Sequence, residues 1–464
     1  MCLLCGPINR RRFGALAGLA ASDLAAPAAS SLAAAVRGEY LIRAGRVLTM
    51  EPGGDVEGGA VHVRDGWIVA VGKAIEAPGA TLIDRPDAVL MPGLIDTHWH
   101  MWNSVGRGLA GGQAGYWPAW RRLAPAFRPD DNYLGARLAL AEAAYSGITT
   151  VHNWSHNTRG YDHAMAEIRA HRESGLRGRF AFGYPQEMGP GARMDFAALE
   201  RVQSEVGADD GLTSLGMCVR GPERSEAAIW REEWAFARAQ KLPLSVHIAI
   251  TRELAKQQAI ATLAREGLLG PDIQLVHATH ATVEDARAIA ASGSPVSLSP
   301  WTELRVGFGI PPIGLLHDAG VKLSLSIDNT PLAGNADFFN VMKIALNIAA
   351  GSAERQEPIP ARTFLEWATI GGASDLGLAD VTGSIRPHKR ADLILVDMAD
   401  INTGPTADLD AVLTHAAQPA NVSFVMADGR ILKEAGRLKD VDVPALVHAA
   451  EDALAGIRAR AGQG

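Results

Sequence analysis

Cysteine is scarce in this chain. Cys2, Cys5 and Cys218 are the only three in 464 residues, too few for a disulfide framework. Cys2 and Cys5 have the Cys-x-x-Cys spacing, but no second pair lies nearby to complete a zinc site, so they read as unpaired thiols. Charge of one sign is nowhere concentrated. The 44 basic and 51 acidic residues leave a net charge of −7, with no run of six like charges. Phosphate binding needs a concentrated basic surface, so nucleic acid is not an expected partner. No segment approaches the ~18 uninterrupted apolar residues of a membrane-spanning helix, which argues against an integral membrane protein. A P-loop, a Gly-x-Gly-x-x-Gly fingerprint and a Gly-x-Ser-x-Gly elbow are also missing from any suitable context, which argues against nucleotide cofactors and serine-hydrolase chemistry.

The first 36 residues carry Arg10-Arg11-Arg12-Phe13, a short weakly apolar stretch and an Ala-, Ser- and Pro-rich tract. They are too short and small-residued to cross a bilayer, and they resemble a twin-arginine export leader. Gly14 and Asp23 depart from that pattern. The expectation is periplasmic or exported protein; the alternative is a disordered extension on a cytoplasmic one.

From Tyr40 short alternating strands are expected over 40–48, 60–63, 67–71 and 81–84, with Asp65-Gly66 as a hairpin turn. Similar texture returns over 391–397 and 422–432, with Asp428-Gly429 as the turn. Strands from both chain ends most simply pair into one small β domain, a β-sandwich assembled from residues 37–90 and 386–440. A helix or tail is expected over 441–464.

Between these parts, over 91–385, apolar strands alternate with helix-like stretches such as 132–145 and 163–174. Strands are expected at 89–96, 147–151, 179–183, 215–219, 243–248, 273–277, 295–299 and 322–327. Eight such units in an α/β chain imply a (β/α)8 TIM-like barrel, whose chemistry sits at the C-terminal strand ends. His98 and His100 end the first of these strands, His247 the fifth, His277 the sixth and Asp328 the eighth. On a strand alternate side chains share one face, so the imidazoles of His98-Trp99-His100 point the same way and can grip one metal ion.

The run Met91-Pro92-Gly93-Leu94-Ile95-Asp96-Thr97-His98-Trp99-His100, followed by Arg107-Gly108, resembles the amidohydrolase superfamily. Ala368-Thr369-Ile370-Gly371-Gly372-Ala373 and Lys389-Arg390-Ala391-Asp392-Leu393-Ile394 add to the resemblance, which spans roughly Tyr40 to Leu438. The branch is that of cytosine deaminase, S-adenosylhomocysteine-type deaminases and triazine hydrolases. The resemblance implies metal ligands at His98, His100, His247 and Asp328, with His277 orienting water or substrate. The fourth barrel strand, Leu215-Gly216-Met217-Cys218-Val219, has no lysine to bridge two ions, so one divalent metal is expected. Three imidazoles and a carboxylate suit zinc best, with iron or manganese left open. Such an ion lowers the pKa of water toward ~7 and so supplies a nucleophile, with Asp328 placed to accept its proton and His277 to steer it.

In typical deaminases of this branch a glutamate follows the strand-five histidine by three residues. Here the position is Ile250, which cannot carry a proton. Glu303 and His280 are the candidate substitutes. Trp99, Trp102, Trp117, Trp120, Trp154 and Trp301, in loops after strands one, two and seven, are candidates for stacking a planar ring, or else pack the barrel mouth; Trp102, Trp154 and Trp301 are placed at the substrate. His152 and His156 either line the pocket or hydrogen-bond within their loop. Arg220 either holds an anionic or carbonyl group of the substrate or pairs with Glu223.

The expected activity is metal-dependent hydrolysis of a C–N bond, not a peptide bond, in a small cyclic or heteroaromatic compound. The alternatives are a dehydrating cyclase acting on an amide, a deaminase or dechlorinase with a different proton donor, and a binding protein that has lost catalysis. Monomer and homo-oligomer both remain open.

Overall fold

The computed structural model describes residues 37–111, 115–207 and 211–462, so the leader and its two cysteines lie outside the described residues. The chain opens with β1 (Glu39–Val47), β2 (Val56–Arg64) and β3 (Trp67–Gly72), paired antiparallel in that order. Asp65 (φ 50) and Gly66 (φ 80) both occupy the left-handed region that a tight hairpin of this hand requires. β4 (Thr81–Pro92) then lies parallel to β1.

The single strand expected over 89–96 is two strands belonging to two different sheets. β4 ends at Pro92, and β5 (Leu94–Trp99) begins the barrel. Gly93 makes the switch. Its N–H donates to Asp392 O at 3.0 Å, and a Cβ there would stand 2.1 Å from Thr149 Oγ1. Only a residue without a side chain lets the backbone pass so close.

β5 is joined by β6 (Ile148–Ser155), β7 (Arg177–Phe182), β8 (Thr213–Val219), β9 (Leu244–Ile248), β10 (Ile273–His277), β11 (Val296–Leu298) and β12 (Leu323–Leu325) in one parallel sheet, in sequence order. The sheet closes between its ends, where Asp328 N–H donates to His98 O at 2.9 Å and His100 N–H to Asp328 O at 2.6 Å. Every residue of β5, β6, β9 and β10 is buried, as expected of parallel strands covered on both faces. The barrel floor is partly polar. Thr97 Oγ1 lies 2.8 Å from both Ser297 Oγ and Ser324 Oγ, and Gln274 Nε2 donates to Asp375 Oδ1 at 2.7 Å. These groups satisfy one another, which makes their burial tolerable and fixes the strand register.

After the barrel, β13 (Leu393–Asp397) pairs antiparallel with β4, and β14 (Val422–Ala427), β15 (Arg430–Glu434) and β16 (Arg437–Leu438) extend the sheet. A bridge between Trp67 and Arg390, with Ile68 N–H donating to Lys389 O at 2.8 Å, folds the sheet over a core that includes Ile42, Val61, Leu90, Leu393 and Phe424. Both chain ends thus build the small domain, as the turn pattern implied. The helix Val443–Arg460 packs on the helix Pro129–Ser146. The latter starts with proline in its first turn, has Asp131 accepting from Arg128 N–H at 2.7 Å, and stops at Gly147 (φ 88). Among the described residues no helix is long and apolar enough to cross a membrane.

Candidate metal centre

The strand ends bring His98, His100, His247, His277 and Asp328 together at the mouth of the barrel. His98 Nε2 lies 3.2 Å from His247 Nε2 and 3.5 Å from Asp328 Oδ1, and His100 Nε2 lies 3.3 Å from the same oxygen. Two donors each ~2.0–2.1 Å from one zinc ion at tetrahedral angles stand roughly 3.3–3.4 Å apart. These three separations have the spacing of donors that share one cation. Ligand atoms of His98, His100 and His247, and of His98, His277 and Asp328, lie within 4.8 Å of one another in two groups that share His98.

The surroundings prepare these groups for a cation. Burial drives His98 and His247 well below the ordinary imidazole value, and His100 to about 3. Neutral rings keep their lone pairs available. His100 Nδ1 donates to Trp154 O at 2.9 Å, which turns Nε2 toward the centre. His277 Nδ1 donates to Glu303 Oε1 at 3.0 Å, leaving its Nε2 3.9 Å from Asp328 Oδ2. His277 (φ 73) and Asp328 (φ 66) both sit in the left-handed region. Such residues cost on the order of 1–3 kcal/mol each and cluster at functional sites.

A pocket of about 690 Å³, including its open mouth, lies over the centre. Its wall includes Tyr116, Trp117, Tyr184, Phe308, His156, Arg220, Arg224 and Ile250. Of the tryptophans put forward to stack a ring, Trp117 stands in the wall, while Trp102, Trp154 and Trp301 lie elsewhere. Trp102 is buried and donates from Nε1 to His156 Nδ1 at 3.2 Å, leaving the opposite nitrogen of His156 as the proton-bearing one. Trp154 packs its ring 4.1 Å from that of His247 and donates to Ser245 Oγ at 2.8 Å. Trp301 is outside the wall, where the same helix, Pro300–Arg305, presents Thr302. The aromatic wall comes from Tyr116, Trp117, Tyr184 and Phe308.

His156 lines the pocket, whereas His152 is buried below it and donates from Nδ1 to Thr97 O at 3.0 Å. His280 Nε2 donates to Phe308 O at 2.7 Å and holds that loop from outside the wall. Glu303 is fully buried behind His277, where Oε1 also accepts from Ser299 N–H at 2.9 Å. Arg220 is in the wall, but its donors go to Gly189 O and Ala192 O, and its ion-pair partner at 3.3 Å is Glu233 rather than Glu223. Asp96, which the motif contained without a role, accepts from His98 N–H at 3.1 Å and Ile327 N–H at 2.8 Å, so it seats two ligand-bearing segments at once.

The same architecture occurs in known enzymes. The chain is 28% identical to an adenosine deaminase from Xanthomonas campestris solved with bound zinc, with a TM-score of 0.81 over 91% of this chain and 99% of that one. It shares its fold with an atrazine chlorohydrolase from Arthrobacter aurescens solved with zinc, at 22% identity and a TM-score of 0.78 over 90% of this chain and 100% of that one. A 5'-deoxyadenosine deaminase of Methanosarcina acetivorans is 27% identical over 443 residues, 91% of this chain and 99% of the relative. A 5-methylthioadenosine/S-adenosylhomocysteine deaminase of Moorella thermoacetica is 28% identical over 402 residues, 83% and 92% of the two chains. The amidohydrolase family model matches residues 89–432. With that match and buried histidine and aspartate groups that could hold a metal ion, the chain belongs to the amidohydrolase family and is a metal-dependent hydrolase.

Proposed function

We propose that the protein binds one zinc ion through His98, His100, His247 and Asp328 and hydrolyses a carbon–nitrogen bond of a small heteroaromatic or cyclic compound. The observation that carries this reading is the convergence of three neutral imidazoles and one carboxylate under an aromatic-walled pocket. The names of the deaminase relatives support an amino-heterocycle as substrate.

A divalent ion held there supplies Lewis-acid activation of water and of the substrate. The remaining steps fall to side chains of the chain. Tyr116, Trp117 and Phe308 stack the ring and exclude solvent. Asp328 accepts the proton of the attacking water at Oδ2, the oxygen that faces His277. Asp328 hands that proton to His277 Nε2, making the imidazolium that Glu303 stabilises from behind, and Nε2 gives it to the departing nitrogen as the carbon–nitrogen bond breaks. Glu303 thus acts through His277 rather than on the substrate, and the pair replaces the proton carrier that Ile250 cannot be. The arginine-rich leader supports export of the folded, loaded enzyme, which the mass of the mature N-terminus would test.

The decisive experiment is elemental analysis of the purified protein beside the double variant His98→Ala, Asp328→Ala, with ammonia release from a panel of amino-heterocycles and cyclic amides. About one equivalent of zinc, lost in the variant together with activity, is the expected result. Two equivalents, or none in protein prepared without chelator, overturns the reading.

A further inference from the structure

Two arginines from the loop after β8 reach the pocket wall, and their situations differ. Arg220 is 3% exposed; its guanidinium holds the loop after β7 through Gly189 O and Ala192 O, and Glu233 matches its charge. Arg224, four residues on, is half-buried, and among the described residues its guanidinium has no hydrogen bond and no ion pair. Glu223 beside it in sequence is 9% exposed, directs Oε1 to Ala249 N–H at 2.7 Å and is not part of the wall. The one carboxylate in the wall is Asp328, already committed to His98 and His100. Around them stand neutral groups: Ile250, Gln186, and the buried rings of His156 and His247.

A guanidinium in a concave wall has lost part of its hydration; Glu223 acts on it across space, but among the described residues no carboxylate forms a hydrogen bond or an ion pair with it. Its planar fork matches a carboxylate in two-point geometry. We propose that Arg224 binds a carboxylate on the substrate, so that the substrates are planar cyclic amines or amides bearing an acidic substituent. The inference rests on the hydrolase reading for where the reacting ring lies, and names the class of molecule that site takes.

The test uses metal-loaded full-length protein and calorimetric binding of naphthalene-2-carboxylate against its neutral counterpart 2-naphthalenemethanol. The carboxylate should bind at least about tenfold more tightly, the size expected of one charge-assisted pair. The preference should disappear in Arg224→Gln and largely return in Arg224→Lys. It should also persist in His98→Ala, because the metal does not hold the anion. Equal binding of the two probes, a preference that survives in Arg224→Gln, or one that vanishes in His98→Ala overturns the proposal. Zinc content, measured on the same preparations, reports separately on the hydrolase reading, so the two cannot fail indistinguishably.

Discussion

Glu303 is a carboxylate with no exposed surface, engaged with one imidazole and one backbone N–H. A residue so placed cannot touch substrate, but it sets which nitrogen of His277 carries the proton and stabilises the charged ring. Glu303→Gln should therefore lower kcat by ~10²–10³, within the range of general acid–base contributions, with KM and zinc content little changed. His280→Ala, whose ring holds Phe308 O, should cost only a few-fold and act mainly on KM. A steady-state comparison of the two variants decides between them; equal losses in kcat would remove Glu303 from the mechanism. Neither direction of effect was legible in the sequence, where both residues were candidates. The helix Pro300–Arg305 turns Glu303 inward and Thr302 to the pocket, and that rotation depends on packing.

At the scale of elements, the barrel closes through β5 and the segment after β12, and Asp96 joins them. Its two oxygens accept from His98 N–H and Ile327 N–H, one residue before Asp328. Asp96→Ala leaves two buried donors unsatisfied at ~1–3 kcal/mol each. The expected result is a stability loss of about 2 kcal/mol or more in denaturant unfolding, with weakened zinc retention although no ligand is changed. Retention equal to wild type would show that the closure does not need this carboxylate to seat the ligands. The eight strands themselves were readable from apolar runs separated by helix-length connections. The break at Gly93 was not, because an uninterrupted apolar run looks the same whether one sheet or two receives it.

At the scale of the molecule, the sandwich and the barrel are joined by a buried ion cluster. Arg177, the first residue of β7, lies 2.9 Å from Asp392 Oδ2 and 3.2 Å from Asp428 Oδ1, and Arg390 also pairs with Asp428. Burial alone would raise the Asp392 carboxyl, but Arg177 outweighs it and holds the group below its ordinary value. Its contribution to stability is therefore complete above the unfolded value of about 3.9, and is lost as the pH falls through the lower folded value. Arg177→Met leaves the buried Asp392 carboxylate without its cationic partner, at ~3–5 kcal/mol, while Asp428 keeps Arg390. The variant should unfold at a lower temperature than wild type near neutral pH, and the difference should shrink as the pH falls and Asp392 is neutralised, as followed by circular dichroism. A difference that does not change with pH would sever Asp392 from this role.

The sequence by itself determined the barrel, the sandwich assembled from two chain ends and the strand ends at which the candidate metal ligands meet. Those features are written in local patterns: period-two alternation, apolar runs of strand length, and histidines at strand ends, where the backbone dictates which way a side chain points. The pocket was decided only by tertiary structure. Trp102 and Trp154 turned inward to support histidines, Tyr116, Trp117 and Phe308 turned out to form the wall, and Arg220 was absorbed by loop carbonyls while Arg224 makes no hydrogen bond or ion pair among the described residues. These residues lie in loops and short helices, where no fixed period relates position to direction. A loop side chain finds its orientation from whatever the rest of the fold brings beside it.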